Sequence, residues 1–445
     1  MSATHNVTVT GHDEALLRLL DLATNDNAIA AAIVAGGTGY TVGDILTVVG
    51  GTIINSLVTT LEVLSVAAGV IDGIRVFNCG AYSAQPGNPV AVTGGTGGDD
   101  ATFTLTFETQ NWTINRNDAS SSSSLDNLAV AGGSGTQVLG RELLLQGPGN
   151  AGADEIYVGF MGLEDTDVAV FNWQLFGFTG FNGGDDLVDQ PGFSYVSPNE
   201  IAAFTQLTDG SIELWIHTSP RVLSGVARIG GTYTSWYVGF LNPFATPTEY
   251  PYPIYIAGSC SKWNQSFSAS GLAQSGLADP GSSSISGGNT RGPAGLRFFD
   301  GTWQFVRNWN FGTTRSSFLD RCVYPGQTLA PTDAAYNPAS KFMQASTMNW
   351  DTIIPSTGNP GSPQQTLRET EDSGGNITVL IPTIVWSKVP SLQILGEIDS
   401  VFWGSAAGNN ILAQDRVIVG GVHYRAFQSG NRSEQFAFFF LREDA

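Results

Sequence analysis

A Gly-rich unit that occurs twice is the feature that most restricts what this chain can fold into. "AIVAGGTGYTVGDILTVVGGT" near the N-terminus is echoed by "IRVFNCGAYSAQPGNPVAVTGGT". Tyr40 recurs as Tyr82, Gly50-Gly51-Thr52 as Gly94-Gly95-Thr96, and "TTLEV" at Thr59–Val63 as "FTLTF" at Phe103–Phe107. A glycine-led turn after an apolar run also fits a dinucleotide loop. That loop needs a third glycine and then a helix whose N-terminus holds the pyrophosphate. Here Gly37 and Gly39 fill two places but Val42 holds the third, and the residues that follow are β-branched and bounded by glycines. Such a stretch reads as a strand. A phosphate loop has no reason to be duplicated, whereas a β unit does. The glycines therefore read as turn residues that supply positive φ, and residues 28–108 as one duplicated all-β module.

The rest of the chain points the same way. Charged residues make up only 13% of the 445, against about 25% in average chains, and there are 55 glycines. Short strands joined by turns fit this balance. One helix is legible: "DEALLRLLDLA" puts Leu16, Leu17, Leu20 and Ala23 on one stripe, with Thr10 and Asp13 placed as a capping box in which Asp replaces the usual Glu. A helix of about three turns is marginal alone, so this stripe is expected to dock. "NDASSSSSLDN" at 117–127 reads as a linker. Further strands are expected in "RELLLQGPG", "DEIYVGFMGLED", "FNWQLFGFTGF" and "SIELWIHTS", with hairpins at Asp300-Gly301 and Gly420-Gly421. The serine-rich 265–295 and the irregular 325–365 read as long loops.

The expected fold is mainly β: several small β-sandwich or barrel-like domains and one short N-terminal α-helix. The expected division is an arm and helix over 1–27, the duplicated module over 28–108, a linker over 109–129, a central β-rich domain over 130–390 and a C-terminal β unit over 391–445.

The charge excludes one class of partner. Asp and Glu number 39 against 19 Lys and Arg, a net charge of −20. No cluster of bases exists to neutralise phosphates, so nucleic acid is not an expected partner. The start of the chain has no basic segment followed by an apolar core, and no apolar run is long enough to span a membrane, so neither a signal peptide nor a span is expected.

Candidates for chemistry each have a plain alternative. His5, His12, His217 and His423 show no metal-ligand spacing and read as structural. Cys79, Cys260 and Cys322 form no CxxC pair and read as buried free thiols. The acidic groups Asp154-Glu155, Glu164-Asp165-Asp167 and Asp185-Asp186 could serve a glycosidase or hold Ca²⁺, but sit where strands end. No catalytic, cofactor or metal residue is assigned. The aromatic stretch holding Tyr233, Trp236, Tyr237, Phe240, Phe244, Tyr250 and Tyr252 reads as core or interface, or else as a glycan-facing surface. Leu16, Leu17 and Leu20 are the candidate docking helix.

The segments "GGTGYTVGDILTVVGGT", "AGVIDGIRVFNCGAYSAQPGNPVAVTGGTG", "RELLLQGPGNAGADEIYVGF", "SWYVGFLNPFATPTEYPYPIYIAGS" and the closing "LGEIDSVFWGSAAGNNILAQDRVIVGGVHYRAFQSGNRSEQFAFFFL" together resemble virion structural proteins of tailed bacteriophages. The resemblance covers most of the chain beyond the helix and brings no catalytic motif. It implies a non-enzymatic component of the tail tip or baseplate. Such a protein is made in the host cytoplasm and resides in the virion, as a homo-oligomer (trimer or ring) among other virion proteins. Rival readings are a receptor-binding fibre or spike that grips host surface glycan, a head-decoration protein, and a glycan-cleaving enzyme with an acidic pair.

Overall fold

The computed structural model describes residues 3–98, 100–120, 137–149, 155–165, 170–194, 203–259, 294–305, 323–325, 380–387, 393–404, 411–428 and 438–443. They are mainly strands, all paired antiparallel into several sheets, with one α-helix among them.

The duplicated module is a barrel with an internal two-fold. The first unit gives strands Asp26–Ala35, Ile45–Val48 and Thr60–Ala67; the second gives Val70–Asn78, Val90–Thr93 and Thr102–Thr109. Two short strands, Thr52–Ile53 and Tyr82–Ala84, extend the sheet beside Asp26; the six main strands run in the order Asp26–Ala35, Thr102–Thr109, Val90–Thr93, Ile45–Val48, Thr60–Ala67, Val70–Asn78. Read backwards with the units exchanged, that order is unchanged. The pairs Thr47↔Thr93 and Val48↔Val92 lie at its centre. The two ends of the run meet: the N–H of Ala28 donates to Cys79 O at 2.9 Å, and that of Ile71 to Gly36 O at 3.0 Å. The interior joins Leu46, Val48 and Leu61 to their repeat counterparts Val90, Val92 and Leu105. The Gly-Gly turns carry positive φ as expected, 76° at Gly51 and 79° at Gly95. Each is also crowded, for an added Cβ would lie 2.8 Å from Tyr82 Cδ1 or from Leu46 Cδ2 respectively.

Three further sheets stack in layers. The middle layer runs Ala3–Thr10, Ser211–Ser219, Val222–Ile229, Thr232–Phe240, Ile254–Ala257, Ala294–Arg297, Trp303–Phe305. On one side lies a five-stranded sheet of Thr113–Asp118, Gln137–Gly147, Ile156–Asp165, Val170–Phe178 and Ala203–Leu207. Leu143, Val158, Phe160 and Trp173 of that sheet meet Leu214, Ile216, Trp236 and Ile256 of the middle one. Trp173 and Trp236 pack edge to face, with ring centres 5.3 Å apart. On the other side lies the C-terminal sheet of Val323–Pro325, Ile381–Ser387, Gln393–Gly404, Phe438–Arg442, Val422–Gln428 and Arg416–Val419. There Trp215, Val226, Tyr237 and Tyr255 meet Val385, Ile398, Phe427 and Phe439. A middle layer buries both faces, which is why Tyr233–Phe240 is buried at every position instead of at every second one.

The helix His12–Thr24 docks within its own chain, burying Leu16, Leu19, Leu20 and Leu22 in the core between the middle and five-stranded layers. Trp173 Nε1 donates to His12 O at 3.0 Å. The expected Thr10–Asp13 capping box does not form. Gly11 is the N-cap, with no side-chain cap bond. The Thr10 N–H instead donates to Glu14 Oε2 at 2.8 Å, and Asp13 pairs with Arg141 at 2.8 Å.

Strand pairing crosses three of the expected boundaries. The arm is an edge of the middle layer, its Ala3–Thr10 paired with Ser211–Ser219. Thr113–Asp118, expected as linker, pairs with Gln137–Gly147. Gln393–Gly404 pairs upstream with Ile381–Ser387 and Asn242–Pro243. The hairpins at Asp300-Gly301 and Gly420-Gly421 form as expected. Residues 121–136, most of 265–295 and all of 326–365 lie outside the described residues.

Candidate functional site

Most candidate residues from the sequence lie inside the protein. Of the seven aromatics, Tyr233, Trp236, Tyr237, Phe240 and Tyr250 are buried between layers, so their rings do not offer a face to a sugar. Tyr252 is half-buried beneath Arg297, whose guanidinium stands 5.2 Å from its ring centre, and Phe244 is exposed. Leu16 and Leu20 are buried and Leu17 is half-buried against the same core.

All four histidines are buried. His5 Nδ1 accepts the Gly80 N–H at 3.2 Å, and burial holds its pKa down to about 4. His12 lies 3.2 Å from Glu164 Oε1; burial pushes its pKa down, with Glu164, Asp13 and Asp209 opposing. His217 is pushed down by burial, with Asp399 opposing and Arg442 adding to the effect. Cys79 is buried and its thiol pushed up by burial, which suppresses thiolate reactivity.

The acidic groups do not assemble either. Glu155 accepts from Tyr157 Oη at 2.7 Å, Glu164 faces His12, and Asp185 accepts from Asn182 Nδ2 at 2.9 Å. Among the described residues no three His, Cys, Asp or Glu come together as a metal site would require. Asp154, Asp167, Cys260 and Cys322 lie outside the described residues.

The polar chemistry of the fold is concentrated where its parts join. Glu62 and Arg75 on the barrel meet Arg416, Arg425 and Glu443 of the C-terminal sheet. Arg75 lies 2.7 Å from Glu62 and 3.1 Å from Glu443, and Arg416 lies 3.0 Å from Glu443 and also pairs with Glu62. Arg425 pairs with Glu443. The guanidiniums of Arg75 and Arg416 stand 5.7 and 4.6 Å from the Phe77 ring centre. Burial works against the Glu62 carboxylate, but Arg75 and Arg416 outweigh it and hold its pKa below the usual range. A second join ties the middle and C-terminal layers. Arg221 pairs with Asp399 at 3.2 Å, and the Asp399 N–H donates to Tyr237 Oη at 3.3 Å. Within the barrel, Asp44 accepts the N–H groups of Thr41 and Thr96, each at 3.0 Å, and so staples the turns of the two units. Burial raises its pKa, but these bonds together with those from the Thr41 and Thr96 hydroxyls outweigh burial and hold it down to about 2.

None of the residues in the Glu62–Arg425 join was singled out from sequence. The signal was present: Glu62 in "TLEVL" and Arg75 in "GIRVF" are charges set in apolar strands, and such charges require a partner.

The outside of the barrel differs from the rest of the surface. Of the twelve large apolar side chains exposed among the described residues, seven belong to it: Val34, Val42, Ile45, Val49, Ile53, Leu64 and Val70. No model of a known protein family matches the chain, and a search of curated proteins finds no match.

Proposed function

We propose that this chain is a non-enzymatic structural component of a tailed-phage virion, at the tail tip or baseplate, that works by oligomeric assembly and docking of neighbouring proteins. The observation that carries the assembly reading is the gathering of exposed apolar side chains on one module, the barrel. Exposed apolar residues spread thinly over a protein are ordinary, whereas their enrichment on one module favours contact with other molecules there. His5, His12, Glu155, Glu164 and Asp185 support it as well, because each is engaged in contacts within the fold. The virion setting rests on the resemblance of the Gly-rich module and the later segments to phage structural proteins.

Antibody–gold labelling of intact particles from the source, viewed by electron microscopy, tests this. Label at one tail end is the expected result. Label over the head would favour decoration, and free protein in the lysate with no labelled particle would overturn the virion reading.

A further inference from the structure

The loop after Val170–Phe178 turns at Asn182-Gly183-Gly184-Asp185 and carries the one Asn-Gly pair in the chain; every other asparagine precedes a residue that has a Cβ. Asn182, Gly183 and Gly184 are exposed. The Asp185 N–H donates to Asn182 O at 3.2 Å, and Asn182 Nδ2 donates to Asp185 Oδ2 at 2.9 Å. Buried Gln190 holds the turn to the protein. Its Oε1 accepts the Asn182 N–H at 2.9 Å, and its Nε2 donates to Asn182 O and to Asp185 O, each at 3.0 Å. Arg116 adds a bond to Asp185 O at 2.6 Å.

We propose that Asn182 is a site of spontaneous deamidation, which changes the charge and the chain path of this loop as the protein ages. Gly183 has no Cβ to keep its nitrogen from the preceding side chain. Its surroundings are open as well: a Cβ built there would meet Phe181 Cε1 at 3.7 Å, and one at Gly184 nothing within 4 Å. The Gly183 nitrogen gives up its proton and bonds to Asn182 Cγ. The Cγ–Nδ2 bond breaks, and ammonia leaves with that proton, so a succinimide ring remains. Water then opens the ring. Cleavage at Cγ gives aspartate, and cleavage at the backbone carbonyl carbon gives isoaspartate. Either product undoes the turn. Aspartate sets a carboxylate where an N–H met Asp185, and two ionised carboxylates repel. Isoaspartate turns the carbonyl that serves Gln190 and the Asp185 N–H into a free carboxylate and lengthens the chain by a methylene. The loop is then expected to open locally while the sheets stay folded. This chemistry does not depend on the assembly reading.

The test is storage of the full chain at mildly acidic and mildly alkaline pH, followed by peptide mapping with mass spectrometry. The peptide that holds Asn182 is expected to gain the mass difference between OH and NH₂ ahead of the other asparagine peptides. The gain is expected to be faster at alkaline pH, where the Gly183 nitrogen loses its proton more readily. Gly183→Ala, for which the turn has room, is expected to slow it several-fold. Freshly made Asn182→Asp is expected to be cut by protease within the loop sooner than fresh wild type. No gain at Asn182, a gain no faster than at the other asparagines, or equal rates in wild type and Gly183→Ala would each overturn the proposal. Equal cleavage of Asn182→Asp and wild type would overturn the opening of the loop.

Discussion

Acidification is expected to weaken the hold on the N-terminal strand through His5. Its Nδ1 is an acceptor for the Gly80 N–H at 3.2 Å, so adding a proton there sets two donors against each other. The ring is 4% exposed, so solvent screens the added charge little. Its pKa falls from 6.5 in an open chain to about 4 in the fold. Because the unfolded chain takes the proton first, stability is complete above pH 6.5, declines as the pH falls, and levels off below about 4. At about 1.4 kcal/mol per pH unit, the full loss from this one residue is about 3 kcal/mol. His12 and His217 have the same sign. Glu397, raised by burial and by Asp399, has the opposite one. A comparison with His5→Gln isolates the residue, since the amide oxygen of Gln accepts the Gly80 N–H and does not titrate. Urea unfolding of both proteins in steps from about pH 7.5 to about pH 4.5 measures the difference. The wild type should lose about 2.5 kcal/mol more than His5→Gln over that range, most of the full effect. Parallel loss in the two proteins would refute the assignment of this acid sensitivity to His5.

Four substitutions probe other parts of the fold. Gly51→Ala should cost more than Gly43→Ala: both residues have positive φ, worth about 1 kcal/mol or more, but Gly51 is crowded by Tyr82 and Ala84 while Gly43 faces open space; paired thermal melts compare them. Glu443→Gln leaves Arg75, Arg416 and Arg425 with Glu62 as the carboxylate remaining in the join; a loss of about 3 kcal/mol and earlier proteolysis of the C-terminal sheet are expected, and an unchanged cleavage pattern would count against the clamp. Leu19→Ala empties a fully buried site under the helix; urea unfolding should show a loss of about 3 kcal/mol.

The sequence shows what neighbours along the chain decide. Tyr40 and Tyr82 reveal the duplication, the Gly-Gly pairs reveal its turns, and alternation in "TFTLTF" reveals a strand with Phe103 and Leu105 inside. It is silent where distant residues decide. Nothing in "ATHNVTVT" names Ser211–Ser219 as its partner, so the arm looks separate. The run Tyr233–Tyr255 shows many rings but not that a layer covers each side, and so a glycan-facing surface stays open until the layers are seen. The capping box fails because Asp13 is drawn to Arg141, far along the chain.

The pairing of Ala3–Thr10 with Ser211–Ser219 has a consequence for synthesis. The strand leaves the ribosome before its partner, which emerges on the order of 10–40 s later at ordinary rates of elongation. For that interval its hydrogen-bonding edge lacks its final neighbour, a state that invites pairing between nascent chains. The barrel, complete by Thr109, is ready much sooner. Its Cys79 N–H reaches Thr4 O at 3.1 Å, its Gly80 N–H reaches His5, and Asn78 Oδ1 takes the Asn6 N–H at 2.8 Å. The barrel can therefore hold the strand by one edge while the other edge waits, acting as a chaperone built into the same polypeptide.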